Sequence, residues 1–192
     1  GVSVAEGRPA PNVYPDFDYA AVACGIAEIG FGGIALTPKF GSRQRFHMII
    51  TDAEIEPTPL LEAKICTGCM KCADACPLGA ISKTETREID ICGKKMEVAT
   101  VNYEICKTCK NGACPNRFAP IAKPDRIAAL CNRTCLCHLE GKDALGNKFE
   151  NVFRQREAWV VDAAGHYATR DTESANVLGG QFSKDGDRGN RK

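Results

Sequence analysis

Between Cys66 and Cys76 the chain places four cysteines at steps of three, three and four residues, within the stretch ICTGCMKCADACPLGAI, and follows the last with Pro77. An ordinary apolar core has no use for that pattern. Thiols repeated at two-residue gaps must converge on something that takes several ligands, and the segment has to curl around it. The rest of the chain extends the theme. There are twelve cysteines in 192 residues, and eleven of them lie between positions 66 and 137. Small secreted chains use such numbers for disulfides, but this chain is longer, and its opening GVSVAEGRPAPNVYP has no apolar signal-peptide core. Concentration of thiols in one region points to metal.

Cys66, Cys69, Cys72 and Cys76 with Pro77 form C-x2-C-x2-C-x3-C-P, the run by which bacterial ferredoxins bind a [4Fe–4S] cubane. Three thiolates two residues apart let a short loop wrap one corner of the cube, with backbone amides turned towards the sulfides. In two-cluster ferredoxins the fourth cysteine binds the other cluster, so the motif predicts a second one. ICKTCKNGACPNR supplies it, with Cys106, Cys109 and Cys114 in the order C-x2-C-x4-C-P. Exchange of the last cysteines puts Cys66, Cys69, Cys72 and Cys114 on cluster one, and Cys76, Cys106 and Cys109 on cluster two. The remaining ligand is open between Cys92, Cys131, Cys135 and Cys137. Zinc also uses C-x2-C pairs, but it takes two separated knuckles and has no need of three consecutive steps ending in proline.

The remaining features narrow the class. With 25 basic and 24 acidic residues the net charge is +1, which argues against a nucleic-acid partner. No apolar run reaches the roughly 18–20 residues of a membrane span, so a soluble, cytoplasmic protein is expected. DFDYAAVACGIAEIGF reads as a short helix capped by Asp16 or Asp18 and buried from Tyr19 to Ile29, with Cys24 on its core face. GFGG (30–33) reads as a loop, RQRFHMIITD (43–52) as a strand and AEIEPTPLLE as a linker. REIDICGKKMEVATVNY (87–103) reads as a hairpin turning near Gly93. Residues 123–142 read as a helix opened by Pro124 and Asp125 and ended by Gly141. On that helix Cys131, Cys135 and His138 share one stripe, either as a buried face of small hydrophobes or as a closure for the second cluster. NVFRQREAWVV reads as a last ordered piece, with Trp159 in packing, and the polar, Gly-rich tail from Asp171 as a wrapping or disordered segment. No Ser/His/Asp triad, P-loop or G-x-G-x-x-G is visible.

The order of these pieces is similar to a known arrangement. GIAEIGFGGIALTPKFGSRQRFHMIITDAEIEP, followed closely by the ferredoxin motif, resembles the epoxyqueuosine reductases and the corrinoid-dependent reductive dehalogenases over roughly residues 20 to 137. In those families such a segment ends a corrinoid-binding domain, and a two-cluster ferredoxin-like domain passes electrons to cobalt. The resemblance implies that Cys92, sixteen residues past Cys76, completes cluster two, with Cys135 as second choice. Only about 60 residues precede the cysteines, so the proton-donating half of a corrinoid domain falls outside this stretch, and a corrinoid is possible without being implied. The expected fold is α+β: a short α/β segment over 1–61, a ferredoxin-like two-cluster domain over 62–140 and a largely irregular extension over 141–192. The expected function is electron transfer through two [4Fe–4S] clusters to a redox partner protein or subunit, with oligomerisation possible. The alternative is a reductase working with a bound or partner-supplied corrinoid, in which Arg43 and Arg45 could meet an anionic group if they are not merely a solvated strand edge.

Overall fold

A long antiparallel hairpin organises the chain. The computed structural model describes residues 15–116, 122–147, 158–161 and 167–169. In it β3 (Ile81–Ile91) pairs with β4 (Lys94–Val101) from Thr86↔Ala99 to Ile91↔Lys94, with a register shift towards Ile81↔Val101. Alternation decides which face is buried: Ile89, Ile91, Met96 and Val98 point inward, while Glu88, Asp90, Lys95 and Glu97 face water. Cys92 and Gly93 turn the hairpin, both with positive φ (53° and 91°), as a two-residue turn of the primed type requires. The expected hairpin is therefore present, with its first strand starting earlier, at Ile81.

Against the hairpin lies the N-terminal part. α1 (Phe17–Ala23) is capped by Asp16, whose Oδ1 accepts from the N–H of Asp18 at 3.0 Å and of Tyr19 at 3.4 Å. β1 (Glu28–Ile29) and β2 (Ala35–Leu36) form a two-stranded sheet around the GFGG turn. Val22, Ile29, Ile89, Ile91, Met96 and Val98 share one core, and each such side chain contributes about 1.5–3 kcal/mol of burial. The helix is shorter than its apolar run. It stops at Ala23, and Gly25 (φ +74°) crosses so close to Pro59 that a Cβ there would stand 2.0 Å from the Pro59 carbonyl oxygen. Ile29 is a strand residue, and Cys24, expected in the core, is exposed at the helix C-cap.

The strand expected over 43–52 is absent: residues 43–52 have no regular structure, and Met48, Ile49 and Ile50 are 56%, 87% and 93% exposed. Strand propensity needs a neighbour to accept the ladder of hydrogen bonds, and none of the described residues pairs with this run. The linker AEIEPTPLLE is irregular as expected.

α2 (Lys71–Asp74) and α3 (Tyr103–Lys107) are single turns inside the two cysteine motifs, and α4 (Leu130–Gly141) packs on α2. The last helix begins at Leu130, seven residues after the expected start at 123. Asp125 pairs through its backbone with Cys114, 2.8 Å in both directions, and its carboxylate accepts from the Ile127 N–H at 3.0 Å. Asn132 Nδ2 donates to the Ile127 carbonyl at 2.9 Å. These bonds hold 123–129 out of the helix. β5 (Trp159–Val161) pairs with β6 (Tyr167–Thr169), while most of NVFRQREAWVV and the whole tail from Asp171 lie outside the described residues. Helices with small antiparallel sheets make the architecture α+β. No helix among the described residues is long and apolar enough to cross a membrane.

Candidate metal centre

The first motif bends as its spacing demands. Gly68 (φ 69°) and Met70 (φ 56°) take left-handed conformations between the cysteines, and α2 then buries Cys72 and Ala73. Cys66 is fixed from behind by Glu28, which is 3% exposed and whose Oε1 accepts from the N–H of Ile65 at 2.8 Å and of Cys66 at 2.5 Å. Lys94 Nζ stands 4.0 Å from the other carboxylate oxygen. Two adjacent backbone donors satisfied by one buried carboxylate hold the entry to the motif in a single conformation. From the front, the GFGG turn presses on the thiols. The Phe31 N–H donates to Cys66 Sγ at 3.2 Å, and a Cβ on Gly32 would stand 3.0 Å from Cys72 Sγ.

Cys76, Cys106, Cys109 and Cys131 line one pocket, whose walls include Pro77, Leu78, Ile81, Ala113 and Ala129. The Ala80 N–H donates to Cys76 Sγ at 3.3 Å and the Asn111 N–H to Cys109 Sγ at 3.4 Å. Donors aimed at sulfur stabilise negative charge there. Asn111 also ties three segments together. Its carbonyl accepts from the Leu130 N–H at 2.9 Å, and its side chain bonds the Trp159 backbone at 2.8 and 2.9 Å. Gly112 (φ +95°) makes this junction possible, because a Cβ there would lie 2.3 Å from the Ala128 carbonyl oxygen. Gly112→Ala is expected to lower stability by about 2–4 kcal/mol, since backbone must move and the φ is unfavourable. A denaturant midpoint equal to that of the unsubstituted protein would refute this close approach.

Arg126 is the buried cation of the site, 5% exposed. Its Nη1 donates to the Gly32 carbonyl at 2.9 Å and its Nη2 to that of Gly33 at 2.7 Å, while the guanidinium lies 5.5 Å from the centre of the Tyr103 ring. Its charge reaches Cys106 and Cys131 and favours their thiolates. Burial works the other way. It pushes the Cys72 thiol up to about 11 and those of Cys131 and Cys135 up to about 12, and mutual repulsion with neighbouring cysteines adds to this. Thiols so placed hold their protons at neutral pH unless a metal displaces them.

The residues 62–82 match the family described as a 4Fe-4S binding domain. That segment is similar to 4Fe-4S binding domains. The 4Fe-4S segment contains Cys66, Cys69, Cys72 and Cys76. Tetrachloroethene reductive dehalogenases of Desulfitobacterium hafniense and Dehalobacter restrictus are each 43% identical to this chain over 65 residues, a stretch that is 32% of the chain and 12% of each relative. No solved structure matches the chain. The expected likeness to the iron–sulfur part of reductive dehalogenases is therefore present.

Around the 4Fe-4S segment the structure gathers some expected ligands and leaves others apart. Cys66, Cys69 and Cys72 lie together, and Cys76 joins Cys106 and Cys109. Cys92 is exposed at the hairpin tip, the full length of β3 away from Cys76. Cys114 is exposed, and Ala113 rather than Cys114 faces the pocket. Cys137 has Glu140, Arg133 and Arg43 as its charged neighbours. His138 Nε2 has no hydrogen-bond partner among the described residues. Arg43 is ion-paired with Glu140 of α4 and Arg45 with Asp125, so both arginines tie the irregular 43–52 run to the cysteine-bearing part. Among the described residues, no three His, Cys, Asp or Glu side chains converge closely enough to hold a single metal ion. Glu28, Phe31 and Arg126 are not legible as site residues, since each acts across 35 or more residues of chain, and the tie from Asn111 to Trp159 spans 48.

Proposed function

We propose that this chain is an electron-transfer module carrying two [4Fe–4S] clusters and relaying single electrons to a reductase centre. The observation that carries the reading is the pairing of thiols across motifs: Cys76 leaves its own run and lines a pocket with Cys106 and Cys109, as ligand exchange between two cubanes demands. Bound clusters supply one-electron chemistry at potentials set by charge, hydrogen bonds to sulfur and exposure. The chain's own part is to hold the thiolates, to donate N–H groups from Phe31, Ala80 and Asn111 to sulfur, and to keep water from Cys72 and Cys106, both buried. Cys69 is exposed, which gives the first cluster an edge at the surface where a redox partner protein can approach.

A second reading is favoured by the likeness to reductive dehalogenases. In it the module works within a reductase that holds a corrinoid, supplied by more of the same protein or by a partner. Anaerobic purification followed by iron and sulfide analysis and cobalamin extraction tests both. About eight irons per chain with no cobalt supports the relay, and stoichiometric cobalt supports the reductase. About four irons would remove the two-cluster proposal.

A further inference from the structure

We propose that α4 closes both clusters. Cys131 is the fourth ligand beside Cys76, Cys106 and Cys109, and Cys135 the fourth beside Cys66, Cys69 and Cys72. The proposal rests on the two-cluster reading and replaces the ligands that motif exchange and family resemblance name, Cys114 and Cys92.

Residues four apart on a helix stand on one face, one turn along from each other. Here that face is laid against α2 and both motifs. Cys131 is 7% exposed and completes the pocket that Cys76, Cys106 and Cys109 begin. Cys135, one turn on, packs in the same cluster of side chains as Cys66 and Cys72, and also contacts the neighbouring Leu36–Leu136 core with Cys66. The two thiols lean towards different sets: Cys131 has Cys76 and Cys106 as its foremost thiol neighbours, with Cys72 behind them, whereas Cys135 has Cys72, Cys66 and Cys69, with Cys131 behind them.

The helix is held in that rotation by bonds independent of any thiol. Its first N–H with a partner outside the helix, that of Leu130, donates to the Asn111 carbonyl in the loop that carries Cys109. Glu140, near its other end, pairs with Arg43. Between them Leu136 and Leu139 are buried against Leu36, Ile65 and Leu145. Rotating α4 to withdraw the cysteines would expose that apolar stripe. The displaced candidates have other roles. Cys114 uses its backbone in the bridge to Asp125 with its side chain exposed, and Cys92 makes the hairpin turn with φ 53°. On binding, each helix thiol forms one sulfur–iron bond and releases its proton to solvent.

The test uses the full chain, reconstituted anaerobically with iron and sulfide. The unsubstituted protein holding about eight irons establishes the two-cluster reading, and a value near four ends that reading and this inference with it. Given eight, Cys131→Ser and Cys135→Ser should each fall to about four irons, with the reduced protein losing the spin coupling between clusters. Cys92→Ser and Cys114→Ser should keep all eight. The reverse pattern overturns the proposal while leaving two clusters standing. Should the helix variants fail to fold, alkylation mapping of the unsubstituted holoprotein decides. Cys92 and Cys114 labelled before chelation supports the assignment, and Cys114 protected until chelation overturns it.

Discussion

Anaerobic chelation of the iron is expected to unfold the cysteine-bearing part of the chain while the hairpin and α1 keep their structure. The reason lies in how unequal the cores are. The hairpin core joins Val22, Ile29, Ile89, Ile91, Met96 and Val98, all large apolar side chains worth about 1.5–3 kcal/mol each. The core under the motifs joins Phe31 and Ile81 to Ala73, Ala99, Ala129 and cysteines, and alanine buries too little surface to offset the ordering of the loops around it. In small metallo-domains the metal supplies the difference. Structural zinc contributes about 10–16 kcal/mol, as much as the whole stability of an ordinary domain at about 5–15 kcal/mol. After chelation, circular dichroism should lose the signal of α2, α3 and α4. Emission of Trp159, the single tryptophan, should shift to the red as its bonds to Asn111 are lost. Unchanged helical signal and unchanged emission would show that the thiol-rich core folds by itself.

Arg126→Leu is expected to be the most damaging single substitution outside the cysteines. It deletes the donors to the carbonyls of Gly32, which is buried, and Gly33, which is half-buried, and a buried acceptor left without a partner costs about 1–3 kcal/mol. It also deletes a positive charge beside Cys106 and Cys131. A unit charge at roughly 10 Å in an effective dielectric of about 20 is worth about 1–2 kcal/mol, so on the proposed reading a cluster held by Cys106 should become harder to reduce by several tens of millivolts. Arg126→Lys keeps the charge without the planar fork. It should therefore lose about half the stability that leucine loses, with little change in potential. Redox titration beside urea denaturation separates the effects. Equal potentials in the leucine and lysine variants would mean that the charge does not reach the cluster.

These two cases mark how far the sequence could be read. The motif from Cys66 to Pro77 was legible because ligand spacing is local, and the hairpin because Ile89, Ile91, Met96 and Val98 alternate with charged residues around Gly93. The helix start was misjudged because Pro124 and Asp125 are good local signals overruled by bonds to Cys114 and Ile127. The stripe of Cys131 and Cys135 was visible, but its target was not. Which thiols a helix faces depends on Asn111 and Gly112 fixing its entry point, a contact between segments about twenty residues apart. The run 43–52 failed for a related reason, since strand formation depends on a partner more than on the residues themselves.

That run has a consequence for how the protein behaves in solution. Met48, Ile49 and Ile50 offer water a row of large apolar side chains on backbone that no strand pairs. The chain has almost nothing to keep copies apart: its net charge is +1 and its isoelectric point is near 7.6. Adhesive segments are normally guarded by charge, proline or a covering element, and here the nearest prolines come only at 57 and 59. At neutral pH, where mutual repulsion is weakest, only the flanking charges of Arg45, Asp52 and Glu54 stand between this stretch and a like stretch on another copy.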